Sequence, residues 1–181
     1  MNIPTGRFVV PEKVVSHFHL REGDKVADFG AGSGFFAKAL SRAVGSEGAV
    51  YLLDIQKNLV ETCEAVVRRE HIDNAEILWC DLEKVGGSKI EDGTLDAGIL
   101  VNTLFQFEDK ATALKEIVSD LRSGAKFFVI DWTESFGGLG PEPSAVVTAE
   151  QATDMCEAAG LVLEREFDAG DHHYGLAFRK P

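Results

Sequence analysis

Apolar runs of four to eight residues alternate along this chain with longer stretches in which apolar positions recur every three or four residues. The short runs are "KVADF" (25–29), "AVYLLDI" (49–55), "AEILWC" (75–80), "LDAGILVN" (95–102) and "KFFVIDW" (126–132). Between them, residues 33–44, 56–71 and 110–122 carry the helical period. In the second of these, Leu59, Val60, Cys63, Val66 and Val67 fall on one face. Strands that are apolar on both faces, separated by helices, predict a parallel sheet covered on both sides.

The ends of the chain complete the pattern. Residues 11–20 read as a short helix with Pro11 in its first turn. The polar stretch 81–94 has room for a short helix near 82–85. Gly124, just past helix 110–122, is placed as a helix stop. A Gly/Pro-rich loop, "TESFGGLGPEPS" (133–144), precedes a helix that starts with capping-box spacing at Thr148 and Gln151 and ends at Gly160. The last two strands are "LVLEREF" and "HYGLAFRK". About six residues, 168–173, connect them. That is too few for a helical crossover, so this pair is antiparallel. The expectation is a doubly wound α/β sheet of seven strands ending in a hairpin. The usual dinucleotide fold instead repeats strand–helix–strand in its second half.

A length of 181 residues with 45% hydrophobic content predicts one domain, 1–181, around one core. The first twenty residues hold charges, two prolines and two histidines, and no apolar run suits a secretory leader or a membrane span. They are expected to serve as a cover segment. Three widely spaced cysteines, Cys63, Cys80 and Cys156, read as reduced thiols of a cytoplasmic protein, with neither a disulfide frame nor a metal site. A net charge of −12 disfavours nucleic acid as a partner. Arg68 and Arg69 form the one dense basic pair. Oligomeric state is not legible.

The chemistry concentrates after the first strand. Gly30, Gly32 and Gly34 follow Asp28 closely. Glycines permit a tight turn without any ligand. Three of them at the carboxyl end of the first strand of a doubly wound sheet mark the crevice where such sheets take ligands. A P-loop would end in Gly-Lys-Ser/Thr, but Phe35 and Phe36 follow Gly34. The dinucleotide fingerprint fits Gly30 and Gly32, but Phe35 fills the slot of its third glycine. Asp28 works against a pyrophosphate and suits a cationic amine. Asp54, ending the second strand, is placed either to accept from two ribose hydroxyls or to cap the next helix. Asp81, ending the third, is placed to accept from an adenine amino group, with Ile55 and Leu82 on either side of the ring, or to act as another cap.

Together these residues resemble the class I S-adenosylmethionine-dependent methyltransferases, over nearly the whole chain. "VADFGAGSGFF" is similar to the family's D-x-G-x-G-x-G motif. "VYLLDIQ", "CDLEK", "LDAGILVNTLFQFED" and "LRSGAKFFVIDW" follow in the order of its later motifs. The resemblance implies strand order 3-2-1-4-5-7-6 with strand 7 antiparallel, and S-adenosyl-L-methionine as cofactor. It implies that Gly30, Ala31 and Gly32, in the loop closed by Gly34, lie along the methionine and ribose parts. Asp28 would support the amine, Asp54 the ribose and Asp81 the adenine amino group. Ile55 and Leu82 would flank the ring, and Asn102 would face the transferred methyl.

The nearest likeness is to small-molecule enzymes of the ubiquinone/menaquinone-biosynthesis type, whose ending "DHHYGLAFRK" resembles. The Asn/Asp-Pro-Pro-aromatic motif of base-amino methylases is missing at residues 102–105, and clustered cysteines for arsenic are missing too. The expected function is methyl transfer to a small molecule. Other readings are a nucleic-acid or protein methyltransferase, a cofactor-binding subunit without catalysis, and a nicotinamide-dependent oxidoreductase. His172 and His173, in the final hairpin turn, are candidates for a catalytic base or a substrate contact, or are simply solvated. His17 and His19, in the N-terminal segment, are expected on a surface helix or over the pocket. Residues 1–20 and 135–144 are the candidate lid.

Overall fold

A computed structural model describes residues 9–136, 138 and 140–181. The chain runs through α1 (Pro11–Ser16), β1 (Lys25–Phe29), α2 (Ala37–Val44), β2 (Ala49–Asp54), α3 (Lys57–Arg69), β3 (Ala75–Trp79) and β4 (Leu95–Val101). A 3-10 turn (Leu104–Gln106), α4 (Lys110–Asp120), β5 (Leu121–Trp132), a second 3-10 turn (Pro143–Ala145), α5 (Ala149–Ala158), β6 (Val162–Asp168) and β7 (His173–Arg179) complete it. The seven strands form one sheet in the order β3-β2-β1-β4-β5-β7-β6. β7 runs antiparallel to both neighbours, and every other pairing is parallel. This is the expected topology.

The two-sided apolar strands explain the layers. On one face Phe29, Leu53, Leu100, Phe127 and Leu176 pack with Leu114 and Ile117 of α4 and Cys156 of α5. On the other, Val26, Leu52, Ile99 and Phe128 pack with Val14 and Phe18 at the N-terminus and Leu40 and Val44 of α2. Each such side chain is worth about 1.5–3 kcal/mol of burial. The stripe Val14, Val15 and Phe18 draws the N-terminal segment down onto the sheet. Phe18 stacks on Phe128 at 4.0 Å. The described part of the expected cover segment is therefore a structural layer.

Several boundaries differ from expectation, each for a local reason. α2 starts at Ala37, not at 33, because Gly32 (φ +56°) and Gly34 (φ +82°) leave the right-handed region. α1 ends at Ser16, short of 20, and His19 beyond it has φ +52°. Turns, not a helix, occupy 82–85. α4 stops at Asp120 and β5 begins at once, so Gly124 lies inside a strand. There it has φ +78° and donates its N–H to the Lys180 carbonyl, next to a register shift between Leu95 and Ala97. Its conformational freedom serves a bulge. Lys180 Nζ takes over the end of α4, donating to the carbonyls of Val118 and Leu121 at 2.7 and 2.6 Å. The capping box of α5 forms as expected, between Thr148 and Gln151.

Where α4 meets β5, Asp120 is fully buried and accepts from Ser88 Oγ at 3.0 Å. Burial pushes its pKa up to about 7, against the pull of the Ser88 hydroxyl; Glu116 and Asp92 add to the rise and Lys180 opposes it. An unfolded aspartate titrates near about 4. The folded state therefore holds an extra proton between those values. Its contribution to stability is full at low pH and is lost as pH climbs through 7. Asp120→Asn keeps an acceptor for Ser88 and removes the charge. Between about pH 5 and about pH 8 the wild type should lose more stability than the variant, by on the order of 2–4 kcal/mol in urea denaturation. Parallel losses would show that Asp120 does not hold the proton.

Candidate functional site

β1 ends at Phe29, and the next two amides turn over the end of β2. The N–H groups of Gly30 and Ala31 both donate to the Leu53 carbonyl at 2.8 Å. Gly30 sits at φ +85°, and a Cβ there would lie 2.5 Å from Thr103 Oγ1. Thr103 is fixed in turn by donating to the Val101 carbonyl at 2.9 Å. Gly32 has φ +56° with open space beside it, and its N–H donates to Asp54 Oδ2 at 2.9 Å. Gly34 serves packing: a Cβ there would meet Cys63 Sγ of α3 at 2.9 Å. The loop's glycines thus answer three different demands.

Between this loop and the carboxyl ends of β2, β3 and β4 lies a cavity of about 380 Å³. Of the residues expected at the site, Asp28, Gly30, Ala31, Gly32, Asp54, Ile55, Asp81, Leu82 and Asn102 line it. Gly34 does not; it supports the loop from behind. Ser33, Gln56, Cys80, Glu83, Thr103, Gln106 and Phe107 line it as well, and sequence reasoning did not assign them to the site. Phe35 stands at the rim with 62% of its surface exposed. Thr103, Gln106 and Phe107 belong to the turn after β4. They fall within the stretch that resembles the fourth-strand motif, in which the resemblance gives a role to Asn102 alone.

The cavity is acidic. Asp28 is buried, with Oδ1 lacking a partner among the described residues. Burial, and secondarily Asp54, pushes its pKa up to about 7. Asp54 is not the side-chain cap of α3. Its Oδ1 accepts from the Gln56 amide at 2.8 Å and its Oδ2 from Gly32, which ties β2 to the glycine loop. Each oxygen keeps acceptor capacity. Asp81 makes a turn of its own, accepting from the Glu83 amide at 3.1 Å and pairing with Lys84 at 2.8 Å. The Lys84 ammonium holds it below the usual carboxylate range. No helix follows for it to cap. Asn102 has φ +53°; its N–H donates to the Ile130 carbonyl at 2.8 Å, and its Oδ1 is buried without a partner among the described residues. Burial pushes the Cys80 thiol up to about 12, which makes it a poor nucleophile.

The two hairpin histidines are not brought to the cavity. β7 starts opposite the end of β5, with His173 paired to Trp132, so the turn lies at the carboxyl edge of the parallel strands but beyond β5 as seen from β4. His172 Nδ1 sits 2.9 Å from Glu134 Oε1, and its ring stacks on Phe136 at 3.7 Å. His173 is buried against Trp132, 4.3 Å between ring centres, and burial lowers its pKa. Of loop 135–144, expected as a lid, Gly140 approaches the Trp132 ring so closely that a Cβ would lie 2.6 Å from it. None of the loop's described residues lines the cavity, nor does any of 9–20. His17 stacks on Phe167 at 5.2 Å, and His19 borders a shallow groove between α1 and α2.

A family model described as a methyltransferase domain matches residues 20–167. The chain belongs to that family. This methyltransferase is 31% identical over 134 residues to the ubiquinone/menaquinone biosynthesis C-methyltransferase UbiE of Chromobacterium violaceum, covering 71% of this chain and 53% of that one. It is 30% identical over 121 residues to 2-phytyl-1,4-naphtoquinone methyltransferase of Nostoc punctiforme, covering 67% of this chain and 52% of that one. The chain thus spans about half the length of the curated relatives it matches. A solved SAM-dependent methyltransferase from Aquifex aeolicus superposes with a TM-score of 0.88 at 28% identity, over 96% of this chain and 91% of that one. That solved neighbour is named as SAM-dependent, and the cavity of this chain has the chemistry for S-adenosyl-L-methionine. Asp28 Oδ1 offers a buried acceptor for an ammonium, and the bare backbone at Gly32 leaves room for close approach.

The glycines of the loop are separable by substitution. Gly32→Ala should cost about 1–2 kcal/mol from left-handed strain alone. Gly30→Ala adds a collision with Oγ1, Cγ2 and Cβ of β-branched Thr103, whose hydroxyl is tied to the Val101 carbonyl, and should cost at least about 1 kcal/mol more. Urea denaturation of both variants measures the difference. Equal losses would mean that Thr103 yields freely and does not seal the loop.

Proposed function

We propose that this methyltransferase moves the methyl group of S-adenosyl-L-methionine to a small-molecule acceptor that enters beside the turn after β4. The observation that carries the reading is Asp28: a buried carboxylate beside Asp54 at the floor of a glycine-lined cavity, its Oδ1 without a partner among the described residues. Such a floor repels a pyrophosphate and welcomes a cation, which sets the nicotinamide reading aside. Asp28 takes the ammonium end of the cofactor. Gly30, Ala31 and Gly32 lie along its length, and Asp54 accepts from the ribose hydroxyls while bracing Gly32. Ile55 and Leu82 enclose the adenine, Asp81 accepts from its amino group, and Asn102 Oδ1 faces the reacting end.

The cofactor, when bound, supplies a methyl group already activated on a sulfonium. The residues then have to hold the nucleophile close, aligned and away from water. Phe35 and Phe107 give the mouth of the cavity apolar flanks, and Gln106, which donates to the Asn102 carbonyl at 2.7 Å, stiffens its floor. A protein base is required only when the nucleophile is protonated at working pH. The names of the two relatives support a quinone-type ring as the acceptor class, methylated at carbon. The acidic surface disfavours nucleic acid. Three free, buried cysteines support a reducing, cytoplasmic location.

Titration with S-adenosylhomocysteine and, separately, NADH tests the reading; tight NADH binding with no response to the nucleoside would overturn it. Labelled cofactor offered to a demethylated naphthoquinol tests the acceptor class. Asp28 gives the binding a pH signature. A cationic ligand needs it ionised, so affinity for S-adenosylhomocysteine should rise up to about tenfold per pH unit toward 7 and level off above it. Asp28→Asn should bind weakly with a flat profile. Asp54→Ala should lose about 1–3 kcal/mol of binding, from the ligand bonds and the unbraced amide of Gly32. A calorimetric series from acid to neutral pH decides both; unchanged affinity in Asp54→Ala would remove the ribose role.

A further inference from the structure

The wall that carries Asp81 and Leu82 is held by a residue outside the cavity. Residues 81–87 fold into a closed turn, in which Lys84 N–H donates to the Asp81 carbonyl at 3.3 Å and Gly87 N–H to the Lys84 carbonyl at 2.9 Å. The closure is tight: a Cβ at Gly87 would lie 1.9 Å from the Asp81 carbonyl oxygen. Such a turn does not fix its own position over the sheet. Glu116 of α4, 7% exposed, spends both carboxylate oxygens on the far end of it. Oε2 accepts from the Gly86 amide at 2.8 Å and Oε1 from the Ser88 amide at 2.9 Å. Asp120, one helical turn further along α4, holds the Ser88 hydroxyl, and Ser88 is itself fully buried. At the near end, the Asp109 amide, just before α4, donates to Glu83. The loop is therefore clamped to one helix at both ends, and the strongest clamp is a buried, two-pronged carboxylate.

We propose that Glu116 is a positioning residue for ligand specificity: by holding the amides of Gly86 and Ser88 it sets the 81–87 turn so that Asp81 and Leu82 face the cavity. The specificity concerned is for the base of the nucleoside. This rests on the reading that Asp81 accepts from the adenine amino group. A turn free to shift would blur the choice between a base with an amino donor at that place and one with a carbonyl, while leaving Asp28, Asp54 and the glycine loop intact. Removing one prong leaves a buried amide without its acceptor, so the loop rather than the sheet should respond.

The test compares the wild type with Glu116→Gln, which keeps the volume and one acceptor but turns an amino group toward the other amide. The readout is the ratio of affinities for S-adenosylhomocysteine and S-inosylhomocysteine, its deaminated analogue. The wild type should prefer the adenine form by at least about tenfold, and the variant by clearly less. The ratio cancels any general loss of folded protein. Hydrogen exchange on the free protein is read in parallel. Amides 86 and 88 should lose protection in the variant by about tenfold, while those of β1 and β4 keep theirs. If Glu116→Gln does not fold, Glu116→Asp, one methylene short but still charged, carries the same comparison. An unchanged ratio in a variant whose turn has loosened overturns the proposal, as does unchanged protection at 86 and 88. A wild type that does not discriminate overturns both the reading of Asp81 and the specificity role built on it. Failure to bind either nucleoside overturns the cofactor assignment itself, and the exchange data then still report whether Glu116 holds the turn.

Discussion

One carbonyl organises the mouth of this sheet. The Leu53 oxygen accepts from both Gly30 and Ala31, so the chain leaves β1 by bending across the end of β2 instead of continuing upward. That bend requires positive φ at Gly30 and brings its bare α-carbon against Thr103 of the next strand's loop. The following amide, at Gly32, is then aimed at Asp54, and Asp28 is left buried beneath the turn. A side chain at position 30 would break the contact with β4. A neutral residue at 54 would weaken the acceptor for Gly32. The cavity follows from a single hydrogen-bonded bend and its steric consequences.

Buried carboxylates occur in several places, and their hydrogen bonding separates support from binding. Glu116 spends both oxygens on backbone amides. Asp131, at the end of β5, is raised by burial to about 6 and drawn back by the amides of Trp132, Phe105 and Leu104. Asp120 has the Ser88 hydroxyl. These groups fasten loops to the sheet. Asp28 Oδ1 has no hydrogen-bond partner among the described residues, and Asp54 beside it adds to the rise that burial causes. A buried group that costs stability and joins no loop is best understood as one whose partner arrives from solution.

The topology was legible because strands buried on both faces leave a two-sided apolar signature, and because a connection of about six residues forbids a crossover before β7. The glycine loop and the three strand-end aspartates were legible because each sits where a parallel strand stops, a place the sequence marks by punctuation. Other features were hidden. The early end of α4 was masked by Gly124, which looks like a helix stop yet serves a bulge, while the true cap is Lys180, 59 residues away from Leu121 in sequence. His172 and His173 lie at the right edge of the sheet, but β5 separates them from β4, and only strand order with register shows that. Thr103, Gln106 and Phe107 fall within a stretch that resembles a family motif, yet their place over the cavity depends on neighbours remote in sequence, Gly30 beside Thr103 and the Ile130 carbonyl on the Asn102 amide.

This division has a physical basis that also bears on function. The half of the cavity proposed for the cofactor is built from backbone turns and charged strand ends, which demand particular residue types at particular spacings. The half beside the turn after β4 is lined by the side chains of Asn102, Thr103, Gln106 and Phe107. Phe35 and Phe107 give the mouth apolar flanks, as many other pairs would. In the proposed reading, specificity for the acceptor rests on shape held by the fold, where Asn102 N–H bonds the Ile130 carbonyl and Gln106 bonds the Asn102 carbonyl. A ligand recognised by charge writes its signature into the sequence. A ligand recognised by fit leaves its signature only in the packed structure.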